Sequence, residues 1–309
     1  MTGISSSSAS KSRSLKRGEI ISASRRTDIP AFHYDWLQKV LREGRVSVPN
    51  PRFKDRVRTV DLCPDSVHSI VLWSKDFGKV LRDPGLLRNY NLYFQYTITG
   101  YSRRLEPFAP RYEEALRTLE GLLKQYRPEQ FNIRFDPILV SLRGEDFPTP
   151  DDPAKARINM FRRLCRDLAG LGMKNAKITI SYITLYPFVV QRLAACGIDL
   201  RPLPPDGQRL LAEEMAAVAA EFGLNNLYSC ACPAIETATG LKQGGCIDGA
   251  LLTALFGGRV SRARDAGQRG ACRCTRSIDI GSYDLRCGFS CNYCYGRFFG
   301  QRPTAADGI

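Results

Sequence analysis

The chain has 309 residues and a formal charge of +14, from 45 Lys and Arg against 31 Asp and Glu. That length supports one large α/β domain or two small ones with a substantial core, and no uninterrupted apolar run reaches the roughly 18 residues a membrane-spanning helix needs. With His33 and His68 as the only histidines, a Ser-His-Asp triad and a His-rich zinc site both lack material.

Residues 1–18 are Ser-rich and basic, with Lys11, Arg13, Lys16 and Arg17 and no acid. They lack the apolar stretch of a signal peptide, so a solvated, disordered arm on a cytoplasmic protein is expected; a transit peptide shares the Ser/Arg bias but would carry an apolar face. The remaining positive charge favours anionic partners such as phosphates or nucleic acid, and dispersed solubilising charge explains it equally well.

Six β-rich runs follow: EIISAS (19–24), HSIVLW (68–73), NLYFQYTI (91–98), FNIRFDPI (131–138), KITISYI (177–183) and NNLYSC (225–230). Helix-like segments lie among them at 31–43, 111–126, 151–172 and 206–223. Asp151, Asp152 and Asp206 are placed as N-terminal caps, and Gly172 and Gly223 as stops. Strand–helix alternation predicts an α/β fold: a parallel (β/α) barrel or part-barrel of about six units, in one domain over 19–300 with a tail at 301–309.

In such folds chemistry gathers at the carboxyl ends of the strands. Those ends carry Ser22, Ser24, Arg25, Arg26 and Asp28, then Trp73 and Lys75, then Gln95, Thr97 and Thr99 on one face, then Arg134 and Asp136. Ser24, Arg25, Arg26, Asp28, Lys75, Gln95, Arg134 and Asp136 are therefore expected around a cavity. Adjacent arginines at a strand end are costly to bury without anions, so either Asp28 and Asp136 pair with them or an anionic substrate does.

Eleven cysteines are unevenly placed. Cys63, Cys165 and Cys196 stand singly, and the last two, in helix-like runs, suit buried packing. The other eight fall between Cys230 and Cys294. At the end of the run, CGFSCNYCYG places Cys287, Cys291 and Cys294 on one tight loop. Three thiolates leave one position of a tetrahedral centre open. Three readings stand: a 4Fe–4S cluster on three cysteines, zinc shared with Cys272 and Cys274, or a four-cysteine electron-transfer cluster with one distant ligand. Cys230, Cys246, Cys272 and Cys274 are close enough in sequence for a second centre, iron–sulfur or zinc, with Cys232 the weakest candidate. Reduced buried thiols are the plain alternative.

Cys287-x3-Cys291-x2-Cys294, with Tyr293 before the last cysteine, resembles the signature loop of radical S-adenosylmethionine (SAM) enzymes. The resemblance implies a 4Fe–4S cluster on those three cysteines, SAM on the open iron, and an electron donor such as flavodoxin or ferredoxin. A wider resemblance, carried by IISASRRTDIPAF, IVLWSKD, YFQYTITGY, RFDPI, CID and CRCTRSIDIGSYD, is to the uncharacterised family called domain of unknown function 1848. In radical SAM enzymes the loop follows the first strand of a six-unit part-barrel, whereas here it closes the chain. Ser282–Leu285 is expected as the strand feeding it. A radical SAM-like enzyme on an unidentified substrate, an anionic one by the arginines, is the leading expectation. Its rivals are a zinc-stabilised nucleic-acid-binding protein and an iron–sulfur electron-transfer protein without SAM.

Overall fold

A computed structural model describes residues 18–50, 53, 55–140, 153–198, 200 and 202–296. The basic arm up to residue 17, the C-terminal tail and the proposed caps Asp151 and Asp152 lie outside the described residues. The elements run β1 (Glu19–Ala23), α1 (Ile29–Phe32), α2 (Tyr34–Glu43), β2 (Arg45–Pro49), β3 (Val57–Asp61), β4 (Val67–Ser74), α3 (Gly78–Arg82), β5 (Leu92–Thr97), α4 (Tyr112–Leu123) and β6 (Phe131–Ile138). They continue with α5 (Pro153–Gly170), β7 (Lys177–Tyr182), α6 (Pro187–Ala195), α7 (Pro205–Glu221), β8 (Leu227–Ser229), β9 (Lys242–Gln243), α8 (Gly249–Phe256) and β10 (Ile278–Asp279).

The six expected strands are β1, β4, β5, β6, β7 and β8. They lie side by side in that order, all parallel, because each is joined to the next by a crossover. Two short strands complete an eight-stranded parallel sheet: β9 beside β8, and β10 beside β1. These two edges do not pair with each other, so a closed barrel is not formed. The expected feeder strand is also corrected. Ser282–Leu285 is a turn, closed by Leu285 N–H on the Ser282 carbonyl at 3.2 Å, and the strand that precedes the cysteine loop is β10. β2 and β3 form a separate antiparallel hairpin.

Alternation along the strands sorts residues to two faces. Ile21, Ile70, Leu72, Phe94, Tyr96, Ile133 and Ile178 face the helices and join the main core with Leu37, Leu119, Phe161 and Met215. The opposite face is mixed. Ile20, Val71 and Tyr93 pack against Cys246, Ile247, Leu252, Cys272 and Cys274, so α8 and the strand-poor segment after it cover that side. Between them runs a buried polar row, in which Thr179 Oγ1 donates to Asn132 Oδ1 at 2.7 Å and Asn132 Nδ2 donates to Gln95 Oε1 at 2.8 Å. Buried amides and hydroxyls are tolerated only when paired in this way.

Local signals explain the helix ends. Asp28 caps α1 by accepting from Ala31 N–H at 3.0 Å, and Asp248 caps α8 through Ala250 and Leu251 N–H. The single helix expected over 31–43 is divided at His33, whose φ of −123° leaves the helical region. Gly172 and Gly223 stop their helices with φ of +75° and +71°. Asp206 is not a cap. It sits in the first turn of α7 behind Pro204, where its charge favours the helix N-terminus without a capping bond. Among the described residues no helix is long and apolar enough to cross a membrane.

Candidate active site

The cysteine loop is docked at the carboxyl ends of the strands by contacts that do not depend on its sulfurs. His33 Nε2 donates to the Arg286 carbonyl at 2.9 Å, and Phe289 packs edge-on against Phe32 at 4.6 Å between centroids. Asn292 donates through its backbone to Leu105 and through Nδ2 to the Arg104 carbonyl, at 2.9 and 2.6 Å. Arg192 NH1 donates to the Cys294 carbonyl at 2.6 Å. Gly288 is required at its position, since a Cβ there would stand 2.3 Å from Phe32 Cε1. Phe289, Cys291 and Tyr293 are buried in one apolar cluster with Leu105, Leu139, Val189 and Leu193, and Cys287 and Cys294 pack against it.

Burial makes these thiols reluctant to ionise. Cys287 is pushed up to about 12, by desolvation first and by the Asp28 carboxylate next, while the backbones of Phe289 and Asp28 hydrogen-bond to its sulfur. Cys291 is raised well above the usual thiol range by burial and then by Glu106, with Lys75 opposing. Cys294 is raised by burial, against the backbone N–H of Gly296 at 3.3 Å and the nearby Arg192. Left alone, the loop holds three neutral thiols. A cation in their midst is what would favour the thiolate form.

Lys75, just past the end of β4, lies beside this loop. Its Nζ donates to Glu106 Oε1 at 2.8 Å and to Thr99 Oγ1 at 3.2 Å, and sits 5.9 Å above the Tyr293 ring. Burial works against the ammonium, but Glu106, Cys291 and Asp136 more than offset it, and its pKa is raised. Glu106 is the hub: the same Oε1 also accepts from Thr99 Oγ1 at 2.5 Å and from the Tyr293 hydroxyl. Glu106 was not among the expected residues. It stands in the irregular stretch RRLEPFAP, where neither periodicity nor spacing singles out one acid.

Asp28 is occupied by structure. Its carboxylate accepts from Ala31 N–H, from Ser74 Oγ at 2.7 Å and from Lys75 N–H at 3.0 Å, tying α1 to the end of β4. Burial raises its pKa to about 7 despite those donors. It pairs with neither Arg25 nor Arg26, so the expected ion pair is not formed. Arg25 is held instead by the segment after α8: its backbone N–H donates to Asp279 Oδ2 at 2.9 Å, and its guanidinium reaches Ser277 Oγ at 3.3 Å and Asp265 at 3.7 Å. Asp279 further accepts from Ser22 and Ser24 at 2.9 and 2.6 Å. Arg26 donates to the Gly281 carbonyl at 2.7 Å and lies 5.8 Å from the Tyr283 ring. Among the described residues no carboxylate is within salt-bridge distance of Arg26.

Arg134 and Asp136 form the expected internal pair through both Nε and NH2. Arg134 NH1 also donates to Gln95 Oε1 at 3.3 Å and to Cys246 Sγ at 2.7 Å, and Ser181 Oγ donates to Asp136. Arg25 and Arg134 both lie over Trp73, at 5.5 and 5.0 Å from its ring. Gln95 is buried beneath them, donating to the Cys246 carbonyl at 2.6 Å.

Cys230, Cys246, Cys272 and Cys274 do come together, on the covered face of the sheet. Cys230 and Cys246 sulfurs are 3.0 Å apart. Cys274 lies next to both Cys246 and Cys272, and its backbone N–H meets the Cys272 sulfur at 3.5 Å. Cys232 belongs to the other face, in the helical core, and Cys165 is buried there too. Cys63 is exposed and Cys196 half-buried just past the end of α6. Among the described residues no group of three His, Cys, Asp or Glu side chains is arranged to hold a single metal ion as it stands. A 4Fe–4S cluster would make a different demand of the loop from a single ion, since each thiolate would bind a different iron and the sulfurs would not have to meet at one point.

A family described as a domain of unknown function (DUF1848) matches residues 20–296, from the first strand to the end of the cysteine loop. No curated protein matches the chain.

Proposed function

The chain belongs to the DUF1848 family, and from that premise we propose that it is a radical SAM-type enzyme built on an open part-barrel. The observation that carries this is the position of the cysteine loop, docked at the carboxyl ends of parallel strands immediately after β10. β10 is last in sequence but lies at the sheet edge beside β1. In space, then, the strand leading into the cysteine loop stands at a sheet edge, as the first strand of a part-barrel would, although six central strands follow it here in place of five. On this reading the order along the chain is rearranged and the spatial neighbourhood kept.

Cys287, Cys291 and Cys294 would hold the 4Fe–4S cluster, with SAM on its open iron. That group, when reduced, supplies cleavage of SAM and a 5′-deoxyadenosyl radical that takes hydrogen from substrate. The chain's own residues do the rest. Leu105, Leu139, Val189 and Phe289 keep water from the loop. Lys75, fixed by Glu106, places positive charge beside Cys291 and lowers the cost of holding thiolate there. Arg25, Arg134 and Asp136 are committed to internal pairs. Arg26 remains the strand-end cation able to take an anionic group, a substrate carboxylate or phosphate or the SAM carboxylate.

The test is anaerobic reconstitution with iron and sulfide, reduction with dithionite, and chromatographic measurement of 5′-deoxyadenosine and methionine. Cluster-loaded protein should form both from SAM in equal amounts; loaded protein that forms neither overturns the assignment. Arg26→Met is expected to abolish turnover of the true substrate while changing stability by less than about 1 kcal/mol, as befits a residue outside the core networks. Unchanged turnover together with a large loss of stability would make Arg26 scaffold and end the anionic-substrate idea.

A further inference from the structure

The covered face of the sheet holds a second group of chemistry-bearing side chains that the SAM reading does not use. Its thiols come from three separate places: Cys230 after β8, Cys246 after β9, and Cys272 and Cys274 in the segment between α8 and β10. The Cys230 and Cys246 sulfurs meet at 3.0 Å, and Cys274 lies next to both Cys246 and Cys272. Two backbone N–H groups point at these sulfurs, Ile247 at Cys274 (3.4 Å) and Cys274 at Cys272 (3.5 Å). N–H donors of this kind stabilise negative sulfur.

The surrounding charge gives an independent sign. Lys177 is only 6% exposed, and its Nζ donates to the Gly245 carbonyl at 2.6 Å above the Tyr228 ring at 4.2 Å. Among the described residues no carboxylate lies within salt-bridge distance of it. A buried ammonium without a counterion is expensive. The groups near it able to carry negative charge are the Cys246 thiol, the Asp248 carboxylate beyond salt-bridge range, and the thiols of Cys230 and Cys274. Arg134 NH1 meets Cys246 at 2.7 Å, and Arg25 lies close to Cys274. Three cations converge on four thiols.

We propose that Cys230, Cys246, Cys272 and Cys274 ligate one zinc-type metal ion, with Lys177 and Arg134 as the counterions of the resulting dianionic tetrathiolate. As they stand the four sulfurs run in a chain, which is how neutral thiols share protons; deprotonated, they would repel one another without a cation at their centre. A metal ion would have to draw the four sulfurs out of that chain into a tetrahedron about itself. A single ion with metal–sulfur bonds of about 2.3 Å sets its sulfurs about 3.8 Å apart, so the 3.0 Å contact needs only a small opening to receive it. The same contact does not suit a 4Fe–4S cube, whose four thiolates stand apart on four irons. All four ligand positions are filled by cysteine, so the ion is structural: it fastens the strand-poor segment, and with it β10 and the cysteine loop, onto the sheet.

The full chain, purified without added metal, is expected to carry about one zinc by mass-spectrometric metal counting, whether or not the loop retains iron. Cys246→Ser and Cys274→Ser should lower zinc content by about tenfold or more and leave the loop able to take up iron. The triple variant Cys287→Ala/Cys291→Ala/Cys294→Ala should keep its zinc, so failure here and failure of the SAM reading are separable. Lys177→Met should speed zinc loss to a chelator by about tenfold. Where a Ser variant does not fold, cobalt(II) titration of the wild-type chain decides: a tetrahedral thiolate site gives an intense sulfur-to-cobalt charge-transfer band. Zinc retained in both Ser variants, no zinc and no cobalt band in the wild type, or about four additional irons that vanish with Cys246→Ser, would each overturn the proposal.

Discussion

Replacing Cys287, Cys291 and Cys294 together by Ala is expected to remove the loop's iron and to lower SAM cleavage by on the order of a thousandfold or more, while the protein remains folded. The size of the effect follows from division of labour in the loop. Its position is set by Arg286, Asn292, Phe289 and the Cys294 carbonyl, through His33, Leu105, Arg104, Phe32 and Arg192. None of those contacts uses a sulfur, so the fold loses only small buried side chains. Each thiol is held neutral by burial and makes no ion pair whose loss would expose a partner. Single Ala variants should each lose most of a SAM-sensitive EPR signal from the reduced cluster, because the remaining two thiolates leave a second iron, besides the open one, without a protein ligand. A variant with an unchanged signal would strike that cysteine from the ligand set. Loss of the folded state in all three singles would instead show that the sulfurs, not the backbone contacts, seat the loop.

How much of this was legible beforehand depended on distance along the chain. The six central strands follow from local alternation of β-branched and aromatic residues, and each was placed to within about two residues. β9 and β10 were not, being two residues long each and strands only by virtue of their neighbours β8 and β1. The same limit misplaced the feeder strand at Ser282–Leu285. The cysteine loop was legible because its spacing is local. The Arg134–Asp136 pair was legible because i and i+2 share a strand face. The partners of Arg25 were not, since Asp265 and Asp279 lie about 240 and 254 residues away, although Asp279 falls within a stretch already marked by its family resemblance. Lys177 read as an ordinary first residue of a strand; only the sheet's covered face shows that it is buried among thiols. Glu106 carried no signal at all, because its importance comes from three donors on three other segments.

Glu106→Ala is expected to destabilise the protein by about 3–5 kcal/mol, the cost of leaving a buried charge without its partner. The Lys75 ammonium, with 12% of its side chain exposed, would keep only the Thr99 hydroxyl, and Tyr293 would lose the acceptor of its buried hydroxyl. Glu106→Gln preserves shape and an acceptor oxygen, so it should cost less while still leaving Lys75 uncompensated. Lys75→Met combined with Glu106→Gln removes both charges. Its loss should fall short of the sum of the two single variants by about 0.5–3 kcal/mol, as expected for residues in direct contact. Denaturant midpoints at constant slope measure all four proteins. Because Tyr293 lies between Cys291 and Cys294, the Ala variant should also release loop-bound iron faster to a chelator, whereas a core variant of similar cost on the helical face, such as Phe161→Ala, should not. A Glu106→Ala loss below about 1 kcal/mol would mean that the network is wet and contributes little. Equal iron release from both variants would mean that Glu106 acts on the fold alone and does not position the cysteine loop.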